Sequence, residues 1–146
     1  VLFGTAGILA TYDVNGTQLW KKDLGTIDNG YVAEPAQQCG HSASPILYVN
    51  SVIIQADQQK GSYIAAYDIA DGKEFWKTIR EDEISTWGTP LVVKAGSGDE
   101  LITNGTKVRG YDPKTGKIRW TLGPNSQVVI PTPIAGNGLI RPDRRQ

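Results

Sequence analysis

The sequence has no methionine, one cysteine, one histidine and no net charge, its 15 basic side chains balancing 15 acidic ones. Each scarcity removes a class of answer. The single thiol, Cys39, cannot close an internal disulfide, so cysteine usage is silent on redox compartment. Charge balance leaves no basic footprint for nucleic acid or an anionic membrane. No apolar run approaches the roughly 20 residues of a membrane-spanning helix. No secretory signal pattern opens the chain either, and there is no initiating methionine. A 3.6-residue apolar period appears nowhere over a useful length, which argues against helices. Val1-Leu2-Phe3 reads as strand interior, and the expectation is a chain cut from something longer.

Turn formers and large aromatics are plentiful instead. There are 17 glycines and 8 prolines, and four tryptophans and six tyrosines against two phenylalanines, a bias that suits pleated, half-buried strands. These residues recur in order. Tyr12-Asp13, Tyr67-Asp68 and Tyr111-Asp112 each lead through a turn to a glycine, Gly16, Gly72 or Gly116. A tryptophan follows each glycine four residues later, at Trp20, Trp76 and Trp120. A Ser/Thr-Pro pair marks each unit as well, and Pro45, Pro90 and Pro133 stand 45 and 43 residues apart. A period in the forties with four short strand-like runs defines a propeller blade.

The middle unit shows those runs as strand A at 45–49, B at 51–56, C at 63–68 and D at 73–78, with an A–B turn at Asn50-Ser51. In the C–D turn, Pro113 presets φ, Gly116 supplies a left-handed position, and Asp112 can accept hydrogen bonds from the turn's own N–H groups. Asn15-Gly16, one residue shorter, reads as a type I′ turn. A tryptophan on outermost strand D would wedge between neighbouring blades. The expected fold is therefore all-β, a partial β-propeller of four-stranded antiparallel blades. Residues 44–79 and 88–122 form complete blades, 1–24 end one and 127–140 begin another, as part of a seven- or eight-bladed ring. Open blade edges invite self-association.

The Tyr-Asp…Gly…Trp motif with its preceding Ser/Thr-Pro strand resembles the pyrroloquinoline-quinone-type (PQQ-type) repeat. That repeat is found in quinoprotein alcohol dehydrogenases and in the propeller lipoprotein of the bacterial outer-membrane assembly machinery. Segments Gly40–Pro45, Asp57–Ser62, Trp87–Pro90 and Thr103–Thr106 look most like a group of exported bacterial proteins related to that lipoprotein. The resemblance runs from the first residue to about Leu139, and it implies an exported, periplasmic or extracellular protein.

Function in a propeller gathers on the face shared by the D–A and B–C loops. Trp20 to Pro45 spans 25 residues, against 14 and 13 for the next two D–A connections. The excess lies in Gly25–Ser42, which holds Cys39, His41, Asp28 and Glu34 and is the best candidate surface. Cys39 with His41 supplies only two ligands, short of the three or four zinc requires. A histidine closing the end of strand A is the preferred reading. Glu81-Asp82-Glu83 could join Glu34 or Asp28 around a cation, or form a solvated acidic loop. Gln58 and Lys60 in the B–C loop are read as solvent-facing. Trp87, absent from the other repeats, either lines the channel mouth as a stacking surface or fills space between inner strands. Asn15 and Asn104 match glycosylation acceptors, but their Asn-Gly steps are turn chemistry first. The candidate binding face is thus Glu34, His41, Gln58, Lys60, Glu83 and Trp87.

Quinoprotein dehydrogenases that carry this repeat use a vicinal disulfide, a tryptophan under the quinone, a calcium site and an aspartate base. One cysteine rules out the vicinal pair, and no acidic residue stands in a matching context. The expectation is a non-catalytic binding scaffold without cofactor, offering a face to a protein, peptide or glycan. Its rival is a piece of a PQQ-dependent alcohol or sugar dehydrogenase, with PQQ and calcium held only by the full-length protein.

Overall fold

The computed structural model describes residues 1–31, 33–96 and 98–141, and every regular element among them is a strand. A first sheet holds β1 (Leu2–Phe3), β2 (Ile8–Tyr12) and β3 (Gln18–Asp23). A small hairpin follows, β4 (Gly30–Tyr31) with β5 (Glu34–Gln38). Two four-stranded sheets come next. The first is β6 (Ile46–Tyr48), β7 (Ser51–Ala56), β8 (Tyr63–Asp68) and β9 (Glu74–Ile79). The second is β10 (Leu91–Ala95), β11 (Gly98–Thr103), β12 (Val108–Tyr111) and β13 (Ile118–Leu122). A last hairpin pairs β14 (Ile134–Gly136) with β15 (Leu139–Arg141). All pairings are antiparallel between sequence neighbours, the meander of propeller blades. The fold is the expected partial β-propeller, and the sheets β1–β3, β6–β9, β10–β13 and β14–β15 are called blades 1 to 4 below.

The C–D turns follow the repeated aspartate. Asp13, Asp68 and Asp112 each accept, at 2.8 Å, the N–H of the residue two positions on, and Asp13 also accepts from Thr17. The type I′ expectation at Asn15-Gly16 does not hold. That turn needs two positive φ values, and only Gly16 has one, at 85°. A register shift at Thr11/Tyr12 shows why, because a bulge takes up the strand twist as it does in blades 2 and 3. The A–B turn of blade 2 is displaced too. Tyr48 pairs with Ser51, so Val49 and Asn50 form the turn, with Val49 at φ 54°.

Two apolar cores lie between blades. Leu9 and Ile27 of the blade 1 segment pack with Val52, Ile54, Ala65 and Tyr67 of blade 2. Ile53, Ile64 and Ala66 on the other face of blade 2 pack with Leu101 and Tyr111 of blade 3. The period-2 alternation of β7 sends 52 and 54 one way and 53 the other, so one strand feeds both cores. The tryptophans lock this stack. Trp20 donates its indole N–H to the Ile69 carbonyl at 2.8 Å, and Trp76 donates to Pro113 at 3.1 Å. Both acceptors belong to the C–D turn of the next blade. A Cβ on Gly72 would lie 2.8 Å from the Trp20 ring, and one on Gly116 would lie 2.3 Å from the Trp76 ring. The repeated glycine therefore does two jobs, a left-handed bend and a floor for the preceding blade's indole.

Candidate functional site

On the loop side of blades 2 and 3 the strand ends converge on a buried charged hub. Asp57 follows β7 and Arg80 follows β9, and both side chains are fully buried. Arg80 Nε donates to Asp57 Oδ1 at 2.8 Å, and Nη2 donates to Oδ2 at 3.1 Å. Its Nη1 reaches across the blade boundary to Thr103 Oγ1 at 2.8 Å and to the Tyr111 hydroxyl at 2.6 Å. Asp57 Oδ2 also accepts from Gln55 Nε2 and Thr86 Oγ1. Four donors thus engage the buried Asp57 carboxylate, three at Oδ2 and one at Oδ1. Burial opposes the charge on Arg80, but Asp57, Tyr111 and Glu83 outweigh it and hold its pKa above the ordinary arginine value.

Glu83 extends the hub. The expectation of a solvated, partner-facing acidic loop fails at this residue, whose side chain is fully buried. It pairs with Arg109, and its Oε2 accepts the backbone N–H and the hydroxyl of Thr106, both at 2.8 Å. A Cβ on Gly105 would collide with it. Glu83 is a clamp onto blade 3, since two donors of Thr106 and the Arg109 guanidinium outcompete water. Asp82 beside it stays half exposed, joining Lys107 at 2.6 Å and Arg109 at 2.7 Å, and these cations hold its carboxyl below the ordinary value.

The long Gly25–Ser42 segment is not structureless. It carries the β4–β5 hairpin, a unit too small to persist in water unless something supports it. The B–C loop of blade 2 is that support. Asp28 donates its N–H to Gln58 Oε1 at 3.1 Å, and its carboxylate accepts from Gln59 at 3.1 Å and Gln38 at 2.7 Å. Gln59 also donates to the Pro35 carbonyl at 2.8 Å, and Asn29 to the Asp57 carbonyl at 2.7 Å. The hairpin is thereby fixed to the hub, while all of Glu34–Gln38 faces solvent.

The sequence candidates scatter accordingly. Glu34 is exposed on the hairpin, Lys60 is exposed in the B–C loop, and Gln58 is half-buried as a hairpin support. Trp87 is half-buried and donates to the Gly40 carbonyl at 2.8 Å, while its backbone N–H reaches Val129, so it ties successive D–A segments together. His41 packs edge-on against Phe3, at 4.8 Å between ring centroids, and its backbone N–H donates to Thr5 Oγ1. Cys39 is exposed. Asn104 is buried with its amide nitrogen donating to Pro131, which removes it as a glycosylation acceptor. Among the described residues, no group of three or more His, Cys, Asp and Glu side chains is placed to hold a metal.

Neither His41 ring nitrogen has a hydrogen-bond partner among the described residues. Burial lowers its pKa below 6.5, only partly offset by the nearby Ala43 backbone. The unfolded chain then binds the extra proton first, so this residue costs stability as pH falls below about 6.5. The loss levels off below the depressed native value. His41→Phe should flatten that part of the stability curve. Chemical denaturation between about pH 7 and pH 5 checks it, and parallel slopes for both proteins would refute the assignment.

The blades, the turn glycines and the docked indoles define a propeller repeat protein of the PQQ type. The family model described as outer membrane protein assembly factor BamB matches residues 60–141, more than half the chain. The chain belongs to that family. Among solved structures, BamB from Moraxella catarrhalis is similar with a TM-score of 0.64 and 19% identity, over 92% of this chain and 36% of that one. A europium-containing methanol dehydrogenase is similar with a TM-score of 0.62 and 15% identity, over 81% of this chain and 29% of that one. The chain thus spans about a third of the length of these structures. No curated protein gives a significant match.

Proposed function

We propose that the chain is a non-catalytic propeller scaffold of an exported bacterial protein, whose hairpin face binds a protein partner. One observation carries this reading. The outer strand Glu34–Gln38 is exposed along its whole length yet anchored through Asp28, Gln58 and Gln59 to a rigid hub. An exposed strand edge held in place recognises an extended segment by main-chain pairing. The assembly-factor description of the family supports a protein rather than a small molecule as the partner. A photo-crosslinking side chain at Ala36 should capture a protein in cells, while the same probe at Val14, on the opposite turn face, should not. Equal labelling at both positions would defeat the proposal.

A second reading, a piece of a quinone-dependent dehydrogenase, draws on the likeness to the methanol dehydrogenase. The residues here do not fit that group. Asp57 is fully buried and paired with Arg80, Glu83 is committed to blade 3, and one cysteine cannot form a vicinal disulfide. Dye-coupled alcohol oxidation on adding PQQ with calcium or europium would favour this second reading over the first.

A further inference from the structure

The β4–β5 hairpin is not a regular ladder. Its register pairs Gly30 with Gln38 and Tyr31 with Glu34, so Pro35, Ala36 and Gln37 arch out with no residue opposite them. Backbone groups dropped from a ladder must find other partners. Two glutamine amides fill the gap beneath the arch. Gln59 Nε2 donates to the Pro35 carbonyl at 2.8 Å, and Gln38 Nε2 donates to the same oxygen at 3.3 Å. Both nitrogens also donate to Asp28 Oδ1, at 3.1 Å and 2.7 Å. Two donors thus span two acceptors in a closed clamp, and blade 2 supplies one of the donors through its B–C loop.

Gly30 is the floor of that clamp. A Cβ there would collide with Gln59 Nε2 and with the Pro35 oxygen, so the glycine serves close approach and not a left-handed bend. The same contact fixes which way the arch turns its main chain. The Pro35 oxygen points inward, over Gly30 and toward Gln59. The peptide that follows is trans, and across a trans peptide the C=O and the next N–H point in opposite directions. The Ala36 N–H therefore points outward, on a residue that is itself exposed. Pro35 has no N–H to offer beside it.

We propose that the Ala36 N–H is the main-chain donor by which this edge docks its protein partner, taking a backbone carbonyl of an extended segment. Gln59 and Gln38 are the positioning residues that keep it turned outward. This donor role rests on the reading of the hairpin as a protein-docking edge. A strand edge pairs with main chain, and the exposed Glu34 two residues away disfavours a carboxylate in the carbonyl's place. Every group of the clamp lies between residues 28 and 59, within the connection from blade 1 to blade 2 and the loop that supports it.

The protein that a photo-crosslinker at Gln37 captures in cells can be purified and titrated against backbone variants of the full-length protein. An ester in place of the Pro35–Ala36 amide removes this N–H alone and should weaken binding roughly tenfold, since the facing carbonyl is left unpaired. Ala36→Pro removes the same N–H and puts ring carbons in its place, and should weaken binding further. Gln59→Glu sets an acceptor against the Pro35 oxygen and should also weaken binding. Hydrogen exchange at the Cys39 amide, which donates to the Asn29 carbonyl at 3.2 Å, reports whether the hairpin holds. It should stay slow in the ester form and quicken in Gln59→Glu. Undiminished affinity of the ester form, with that amide still protected, would overturn the donor role and leave the docking edge standing. Undiminished affinity of Gln59→Glu would remove the clamp's positioning role. Capture of no protein by the unaltered backbone would remove the docking edge itself.

Discussion

Arg80→Met should lower unfolding stability by about 3–5 kcal/mol, because it leaves the Asp57 carboxylate buried without its counter-charge. Both side chains are fully buried, so water cannot take over. In a domain worth about 5–15 kcal/mol that is a large share. The urea midpoint should fall with an unchanged denaturant slope. The double variant Arg80→Met with Asp57→Leu should recover much of the loss, since it removes the orphaned charge as well. A single-variant loss below about 1 kcal/mol would mean that the hub is hydrated and is not the anchor described for the hairpin.

Gly116→Ala should be nearly as damaging, for a reason that a turn glycine alone does not supply. Its φ of 69° costs an alanine about 1 kcal/mol. The added methyl would also meet the Trp76 ring at 2.3 Å and Thr78 Oγ1 at 2.7 Å. Expelling that ring brings the total to about 3 kcal/mol or more, close to the cost of deleting a packed aromatic. A double-mutant cycle separates the two contributions. In a Trp76→Ala background the backbone penalty and the Thr78 contact should remain while the ring clash is gone, leaving a coupling of about 2 kcal/mol. Additive losses would show that the indole places no demand on the glycine.

The blades were legible because their signals are local. Asp13, Asp68 and Asp112 each bond the residue two positions ahead, so a six-residue window contains the whole turn. The wedge role of Trp20 and Trp76 also followed from repetition, although the glycine floor on the next blade did not. That contact joins residues 40 or more positions apart. Glu83 was misread because its neighbours Glu81 and Asp82 suggest solvent, whereas Arg109 and Thr106 lie 26 and 23 positions away. A usable clue existed. Where Trp20 is followed by Leu24 and the buried Ile27, Trp76 is followed at the same offsets by Arg80 and Glu83. Charge where a sibling repeat places apolar core marks an interior pair. The β4–β5 hairpin gave little sign of itself, because Glu34-Pro35-Ala36 is a poor strand former whose pairing depends on Gln59 from another blade. Val49, a β-branched residue at positive φ, follows from the length of the turn and not from propensity.

The docking of each indole onto the following turn runs in one direction only, and that gives the stack a thermodynamic polarity. Blade 2 both receives an indole, from Trp20, and delivers one, from Trp76, whereas blades 1 and 3 each have one such link. In a chain of nearest-neighbour couplings, the member bound on both sides is the last to open. The amides of β7 and β8 should therefore exchange with solvent at the rate of global unfolding, and those of β2 and β12 through smaller, earlier fluctuations. Slow exchange would thus be centred on the two strands from which both apolar cores are built.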